Sequence, residues 1–231
     1  MPASGLAAQR ISGRALPRLL EKLEAESIER TVVLTAGSEH DGLVSDTGWV
    51  VYASKDEQVA IAPPLPLDES FEGEGLQADP LLRQLTAEPT VAIVLVRLGR
   101  YAVGVFRGRE LIESKTEGRY VGGQHKAGGW SQKRFARIRE KQARELFDKV
   151  CEVSRQKITP YESKLERLWL GGDRHVLNGF QVRCPWLQRF AERTAEHRLT
   201  TPTPDHHGLT KSIDEALSYR VVRLPVSSGD V

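Results

Sequence analysis

The chain has 231 residues, of which 39% are hydrophobic and 28% are charged, and its net charge is +2. This balance supplies enough apolar material for a sizeable core and excludes a fully disordered chain, a collagen and a coiled coil. At about 100–200 residues per domain, the length allows one large domain or two small ones.

The N-terminal part, residues 1–88, combines a helix pattern with short strand patterns. Leucines at helical spacing predict an amphipathic helix over 16–28, the small and polar segment 1–12 predicts a loose arm, and Pro, Gly, Asp and Glu over 63–78 predict a surface loop. The predicted strands are 31–35, 48–53 and 58–62. Because these elements include too few helices to cover their own sheet, we expect residues 1–88 to pack as an elaboration on the domain that follows.

The second part, residues 89–226, begins with strands and continues with a long helix. The predicted segments are strands 90–97, 101–106 and 110–115, a glycine-rich loop 118–131, a long helix 132–157, a strand 165–170, helices 174–180, 186–196 and 213–217, and a strand 220–224. This alternation predicts an α/β fold with a mixed β-sheet and flanking helices. The apolar residues that share one face of the long helix, and predict its buried side, are Phe135, Ile138, Leu146, Phe147, Val150 and Val153.

The sequence carries two cysteines and no familiar cofactor motif. Cys151 and Cys184 belong to no CxxC or Cys/His cluster, which predicts buried thiols in a reduced cytosolic protein, and neither a disulfide nor a zinc site. The longest apolar run, 91–96, is too short to cross a bilayer. Nucleotide-loop and metal-ligand motifs are absent from the sequence, so we expect no cofactor, no metal, no membrane partner and a cytoplasmic location.

Positive charge is concentrated in one short segment. Residues 119–144 hold eight basic residues and one acidic residue, Glu140, so this segment carries +7 and the remainder of the chain −5. Such asymmetry is typical of a surface that binds nucleic acid.

The same segment contains a Gly-Gly-Gln tripeptide in the predicted loop 118–131. Alone, the tripeptide formed by Gly122, Gly123 and Gln124 is a weak signal, since about one chain in twenty of this length would contain it by chance. Its context is more specific, because the loop joins a set of strands to a long helix that opens with Arg-Phe-Ala-Arg-Ile-Arg over 134–139.

This combination resembles the catalytic middle domain of eukaryotic and archaeal class I peptide release factors. The resemblance covers residues 89–224, including Leu-Trp-Leu-Gly-Gly over 168–172, and implies an RNase H-like architecture with a long helix after the GGQ loop. Residues 125–130 (HKAGGW) lengthen the loop, which makes the chain similar to Vms-type ribosome quality-control hydrolases and their actinobacterial release-factor-like relatives. Residues 1–88 lack the motifs of a stop-codon decoding domain, so the resemblance implies a codon-independent hydrolase of peptidyl-tRNA.

The resemblance assigns catalysis to Gly122, Gly123 and Gln124. The amide of Gln124 does not titrate near neutral pH and cannot be a general base, but its backbone N–H can donate to a developing oxyanion and its side chain can order water. The two glycines lack a Cβ atom, so they permit positive φ angles and a close backbone approach to RNA.

Basic residues of the loop and helix are candidates for RNA binding. At 100° per residue, the five cations that fall within about a quarter turn are Lys133, Arg134, Arg137, Lys141 and Arg144. Arg139 projects toward the apolar side instead, and Arg119 and Lys126 lie in the loop. A solvated helix face is the alternative to an RNA contact. The partners that the resemblance implies are the large ribosomal subunit, through the rRNA of its peptidyl-transferase centre, and peptidyl-tRNA, bound by a monomer.

Two other functions remain open on the sequence. The same docking would serve a nuclease that cuts the tRNA 3′ end of a stalled peptidyl-tRNA. A non-catalytic ribosome-binding factor would bind without turnover.

Overall fold

The computed structural model describes residues 8–118, 130–200 and 203–225, with the backbone alone at 130–133. The helices are α1 (Leu16–Ala25), α2 (Asp79–Thr86), α3 (Trp130–Ile158), α4 (Arg174–Arg183) and α5 (His206–Ala216). The strands are β1 (Gln9–Ile11), β2 (Arg30–Leu34), β3 (Glu39–His40), β4 (Leu43–Val44), β5 (Trp49–Ala53), β6 (Glu57–Ala62), β7 (Phe71–Glu74), β8 (Thr90–Arg97), β9 (Arg100–Arg107), β10 (Glu110–Gly118), β11 (Leu165–Gly172) and β12 (Tyr219–Pro225). The described residues divide between two compact units, one within 1–87 and 214–231 and the other within 88–213.

The first unit is built on an antiparallel sheet of six described strands in the order β1-β12-β6-β5-β2-β7. Side chains alternate along β5, so that Trp49 and Tyr52 belong to apolar clusters on opposite faces. Leu16, Leu20 and Leu23 of α1 are buried in the same cluster as Tyr52. Helix α1 therefore covers one face of the sheet within its own unit.

Three strands of this sheet differ from the sequence-based expectations. β1 lies in the predicted loose arm, and β7 lies in the predicted loop 63–78. Both are edge strands held by backbone pairing to one neighbour, so their side-chain pattern carries little signal. β12, which the sequence assigned to the domain 89–226, is hydrogen-bonded between β1 and β6 and belongs to the sheet of the first unit.

The second unit is built on a sheet in the order β10-β9-β8-β11. β8 and β11 are parallel, whereas the β8–β9 and β9–β10 pairs are antiparallel. Helices α3 and α4 pack on one face, where Leu146 and Val150 of α3 and Phe180 of α4 join Val94 and Val103 of the sheet in one core. The predicted mixed sheet with flanking helices is confirmed.

The prediction of two free thiols is wrong. Cys151 of α3 and Cys184, directly after α4, form a disulfide, and their Cα atoms are 5.4 Å apart. This separation is in the usual range for a disulfide. The bond forms because α4 lies along α3, a packing that the spacing of the two cysteines in the sequence does not reveal.

Two segments after α4 also differ locally from their predictions. The predicted helix 186–196 is a 3-10 helix, Pro185–Arg193, with non-helical φ and ψ angles at Phe190. Helix α5 begins at His206, well before residue 213, and the Asp205 carboxylate accepts a hydrogen bond from the Gly208 N–H at its first turn. None of the helices in the described ranges is long and apolar enough to cross a membrane.

Candidate functional site

The glycine-rich loop lies outside the described residues, and the structure describes what it connects. The predicted site residues within residues 119–129 are Arg119, Gly122, Gly123, Gln124 and Lys126. Strand β10 ends at Gly118, which is paired with Arg100 at the start of β9. Helix α3 begins at Trp130.

Helix α3 is much longer than the sheet on which it packs. Its 29 residues span about 43 Å at 1.5 Å per residue. Strands β10 and β11 run in the same direction, so α3 returns antiparallel to them as a crossover helix. Near its C-terminal end, Lys157 donates a hydrogen bond to Glu113 of β10 over 2.8 Å. From Glu113, β10 rises about 16 Å to its end, a height that roughly eleven helical residues cover, so Leu146 lies level with the end of the sheet.

Burial along α3 follows this geometry. Among the side chains described from residue 134 onward, Leu146 is the first that is buried, and the buried residues continue to Ile158. Residues 130–145, about 24 Å of helix, have no buried side chain among those described, although Ala143 still packs against the core. We call residues 130–145 the projecting half of α3 and residues 146–158 its packed half.

The projecting half carries the predicted basic face. Arg134, Arg137, Lys141 and Arg144 are exposed, and the Lys141 Nζ lies 3.9 Å from Glu145. The side chain of Lys133 lies outside the description. Arg139 is half-buried, as its position toward the apolar side predicts, and its buried Nε atom has no hydrogen-bond partner among the described residues.

Two apolar residues of the predicted buried face are exposed instead. Phe135 is 48% exposed and Ile138 is 43% exposed. They share the helix face that is buried further along, at Val150 and Val153. The expectation fails here because no strand of the described sheet reaches the height of the projecting half.

The packed half is attached to the neighbouring elements by several different contacts. The Arg183 guanidinium of α4 donates from Nε and Nη2 to the Asp148 carboxylate, over 2.9 and 2.5 Å, and these hydrogen bonds raise the pKa of Arg183. An added Cβ at Gly179 would lie 2.8 Å from the Phe147 ring, so α4 approaches α3 closely. The Lys157 hydrogen bond holds the pKa of Glu113 below its ordinary value. Together with the disulfide, these contacts fix the direction of the whole helix.

Further arginines lie at the end of the sheet from which α3 projects. β8 ends at Arg97 and β9 begins at Arg100, and each arginine is within 4.0 Å of an aspartate, Asp173 and Asp205 respectively. Arg174 follows the end of β11 as the first residue of α4. Sequence patterns do not reveal this group, because its members are far apart in the chain and only the strand order brings them to one edge.

The described residues contain no obvious metal site. Within 8–118, 130–200 and 203–225, no three His, Cys, Asp or Glu residues are grouped in a way that could hold a metal ion.

Comparisons with known proteins identify a matching family and similar relatives. The family profile of the Actinobacteria/chloroflexi VLRF1 release factor matches residues 89–222, more than half of the chain. Peptide chain release factor subunit 1 of Archaeoglobus fulgidus is 29% identical over 136 residues, which are 57% of this chain and 33% of the relative. The chain therefore spans about a third of the length of this curated relative.

Two solved structures are also similar to the chain. The archaeal translation termination factor aRF1 gives a TM-score of 0.45 at 18% identity, covering 89% of this chain and 70% of that one. The structure described as the Vms1 mitochondrial localization core gives a TM-score of 0.46 at 19% identity and covers 74% of each chain.

Proposed function

Because the chain belongs to the Actinobacteria/chloroflexi VLRF1 release factor family, we propose that it hydrolyses the peptidyl-tRNA ester on stalled large ribosomal subunits without reading a codon. The products are a free nascent peptide and a tRNA with an intact 3′ end. The proposal includes a cytoplasmic monomer whose partners are peptidyl-tRNA and the rRNA around the peptidyl-transferase centre.

The projecting half of α3 is the observation that carries this proposal. It is about 24 Å of helix in which no described side chain is buried, it presents exposed cations on one side, and the GGQ loop immediately precedes it in the chain. A loop at the tip of a long basic helix can enter a narrow cavity lined by RNA while the rest of the unit stays outside. The exposed cations supply contacts to phosphate groups along the way.

The loop residues account for the chemistry. Water attacks the ester carbonyl, negative charge develops on the carbonyl oxygen, and the ribose oxygen leaves with a proton. Gln124 orders the water with its side chain and donates its backbone N–H to the developing charge. Gly122 and Gly123 let the backbone come close to the ester and to RNA, because neither carries a Cβ atom.

Purified large subunits that carry labelled peptidyl-tRNA, with no small subunit or mRNA, test this proposal. The proposal predicts release of a peptide with an unmodified C-terminal carboxylate and a tRNA that keeps its terminal adenosine, both identified by mass. A peptide that carries nucleotides would establish the nuclease instead. Binding without release would establish a non-catalytic ribosome-binding factor, and activity that requires mRNA would contradict codon independence.

A further inference from the structure

A polar cleft of about 620 Å³ lies on the second unit, and none of its lining residues belongs to the projecting half. One wall is a face of α4, with Arg174, Asn178 and Gln181 at positions i, i+4 and i+7. The other wall is the segment 194–198, which runs beside β11. Backbone hydrogen bonds at both ends of this segment hold it there, from Ala195 N–H to Leu168 over 2.8 Å and from Leu199 N–H to Leu170 over 3.0 Å.

The lining of the cleft suits a phosphodiester backbone. Arg174 and Arg198 supply guanidinium groups, which match phosphate oxygens in geometry and charge. The amides of Asn178 and Gln181 can donate to phosphate or ribose oxygens or accept from a 2′-hydroxyl. The lining also includes the His197 imidazole and one carboxylate, that of Glu196. Cations exceed anions, and the polar groups are donors of the kind that contact nucleic-acid backbones.

The position of the cleft connects it with the projecting half. Arg174 follows the end of β11, and this is the sheet end at which β10 enters the GGQ loop and from which α3 projects. Arg97 and Arg100 lie at the same end. An RNA that contacts the projecting half can therefore continue past this end of the sheet and reach the cleft.

We propose that the cleft between α4 and residues 194–198 binds the sugar-phosphate backbone of an RNA strand, as a second contact with the ribosome-bound RNA that the projecting half engages. This inference rests on the proposed function and adds to it a second RNA-binding site, on the second unit. The cleft binds RNA through electrostatic attraction to its phosphate groups and through hydrogen bonds to its 2′-hydroxyls, and this binding requires no particular base sequence.

A charge reversal with a matched control tests the electrostatic part. Arg174→Glu with Arg198→Glu removes two cations from the cleft, and Arg155→Glu with Lys164→Glu makes the same change in net charge at exposed positions elsewhere on the unit. Affinity for large subunits is measured against salt concentration, after thermal unfolding shows that both variants are folded. The cleft variant is expected to lower the slope of log affinity against log salt by about 1.4 to 1.8, and the control by less than about 0.5. Equal slopes for the two variants would overturn the proposal.

A photocrosslinking pair tests the contact directly and identifies the RNA. A benzophenone side chain replaces Gln181 in the cleft or, as the control, the neighbouring Val182, which is 80% exposed and does not line the cleft. The full-length variants are irradiated on large subunits carrying peptidyl-tRNA. We expect RNA adducts from position 181 and none from 182, and sequencing of the adduct distinguishes rRNA from tRNA.

A third benzophenone at Arg137 separates the two proposals. Adducts at 137 without any at 181 would overturn the cleft proposal alone, and the absence of adducts at both would overturn the cleft proposal together with the docking on which it rests. Adducts at 181 from a protein that releases no peptide would support the cleft and contradict the hydrolase.

Discussion

The two halves of α3 share one helix and one apolar pattern but have different surroundings. The packed half buries Leu146, Phe147 and Val150 against the sheet and is tied to α4 by a disulfide and to β10 by an ion pair. The projecting half exposes Phe135 and Ile138 along with its cations. The core contacts that stabilise α3 lie in its packed half, so residues of the projecting half can serve binding at little cost in stability.

The strongest test of this comparison uses two phenylalanines of the same helix. Phe147 is 7% exposed and belongs to the core, whereas Phe135 is 48% exposed. We expect Phe147→Ala to lower the free energy of unfolding by about 3–5 kcal/mol, because it leaves a cavity, and Phe135→Ala to lower it by less than about 1 kcal/mol. Urea unfolding measures both, and comparable losses would contradict the division of α3 into two halves.

The disulfide provides the next test. Cys151–Cys184 closes a loop with a sequence separation of 33, for which chain entropy predicts a stabilisation of about 3–4 kcal/mol. We expect Cys151→Ser with Cys184→Ser to lose a large part of this amount in urea unfolding under non-reducing conditions. A reducing agent should destabilise the wild-type chain and leave the double variant unchanged. If it affects both equally, the cysteines do not form the bond.

Charge reversal in the projecting half should change binding and leave stability unaltered. Arg134→Glu, Arg137→Glu and Lys141→Glu together are expected to weaken affinity for large subunits and to flatten its salt dependence by about 0.7 to 0.9 for each lost phosphate contact. The midpoint of urea unfolding should stay close to that of the wild type, because these side chains are exposed. An unchanged salt slope would mean that the basic face only contacts solvent.

The ion pair between Glu113 and Lys157 should give the smallest effect. The pKa of Glu113 is lowered mainly by its hydrogen bond from Lys157, so its contribution to stability is complete above the unfolded-state pKa near 4.3 and is lost as pH falls through the lower, folded-state value. We expect Glu113→Gln to lower the free energy of unfolding by about 0.2–1 kcal/mol at pH 7 and by less at pH 3. A background of Lys157→Gln should remove this pH-dependent difference, and its persistence there would exclude the pair as the cause.

Much of the second unit could be predicted from the sequence. The run Val91–Val96 and the hairpin with Gly99 have strong strand and turn patterns, and the structure has β8 and β9 there. The long helix was also predicted within a few residues of its observed ends. The four described cations of its predicted basic face are all exposed. Helical spacing alone determines that they share one side of the helix.

The features that sequence could not predict depend on which elements meet in space. Helical spacing indicates one face for Phe135 and Val150 alike, but only the height of the sheet decides which of them is buried. The disulfide depends on α4 lying along α3 at Gly179. Arg174 and Arg198 line one cleft because segment 194–198 runs beside β11, and nothing in their local sequence indicates it.

Single-turnover release of labelled peptide from large subunits by Gln124→Ala tests the central claim most directly. The substitution removes a side chain that the proposal uses only at the chemical step, and the proposed ribosome contact lies on the projecting half of α3. We predict that Gln124→Ala binds large subunits as tightly as the wild type and releases peptide slower by about 10² or more, because water positioning and charge stabilisation are lost together. Release at the wild-type rate would move the active site away from the GGQ loop and contradict the proposed function.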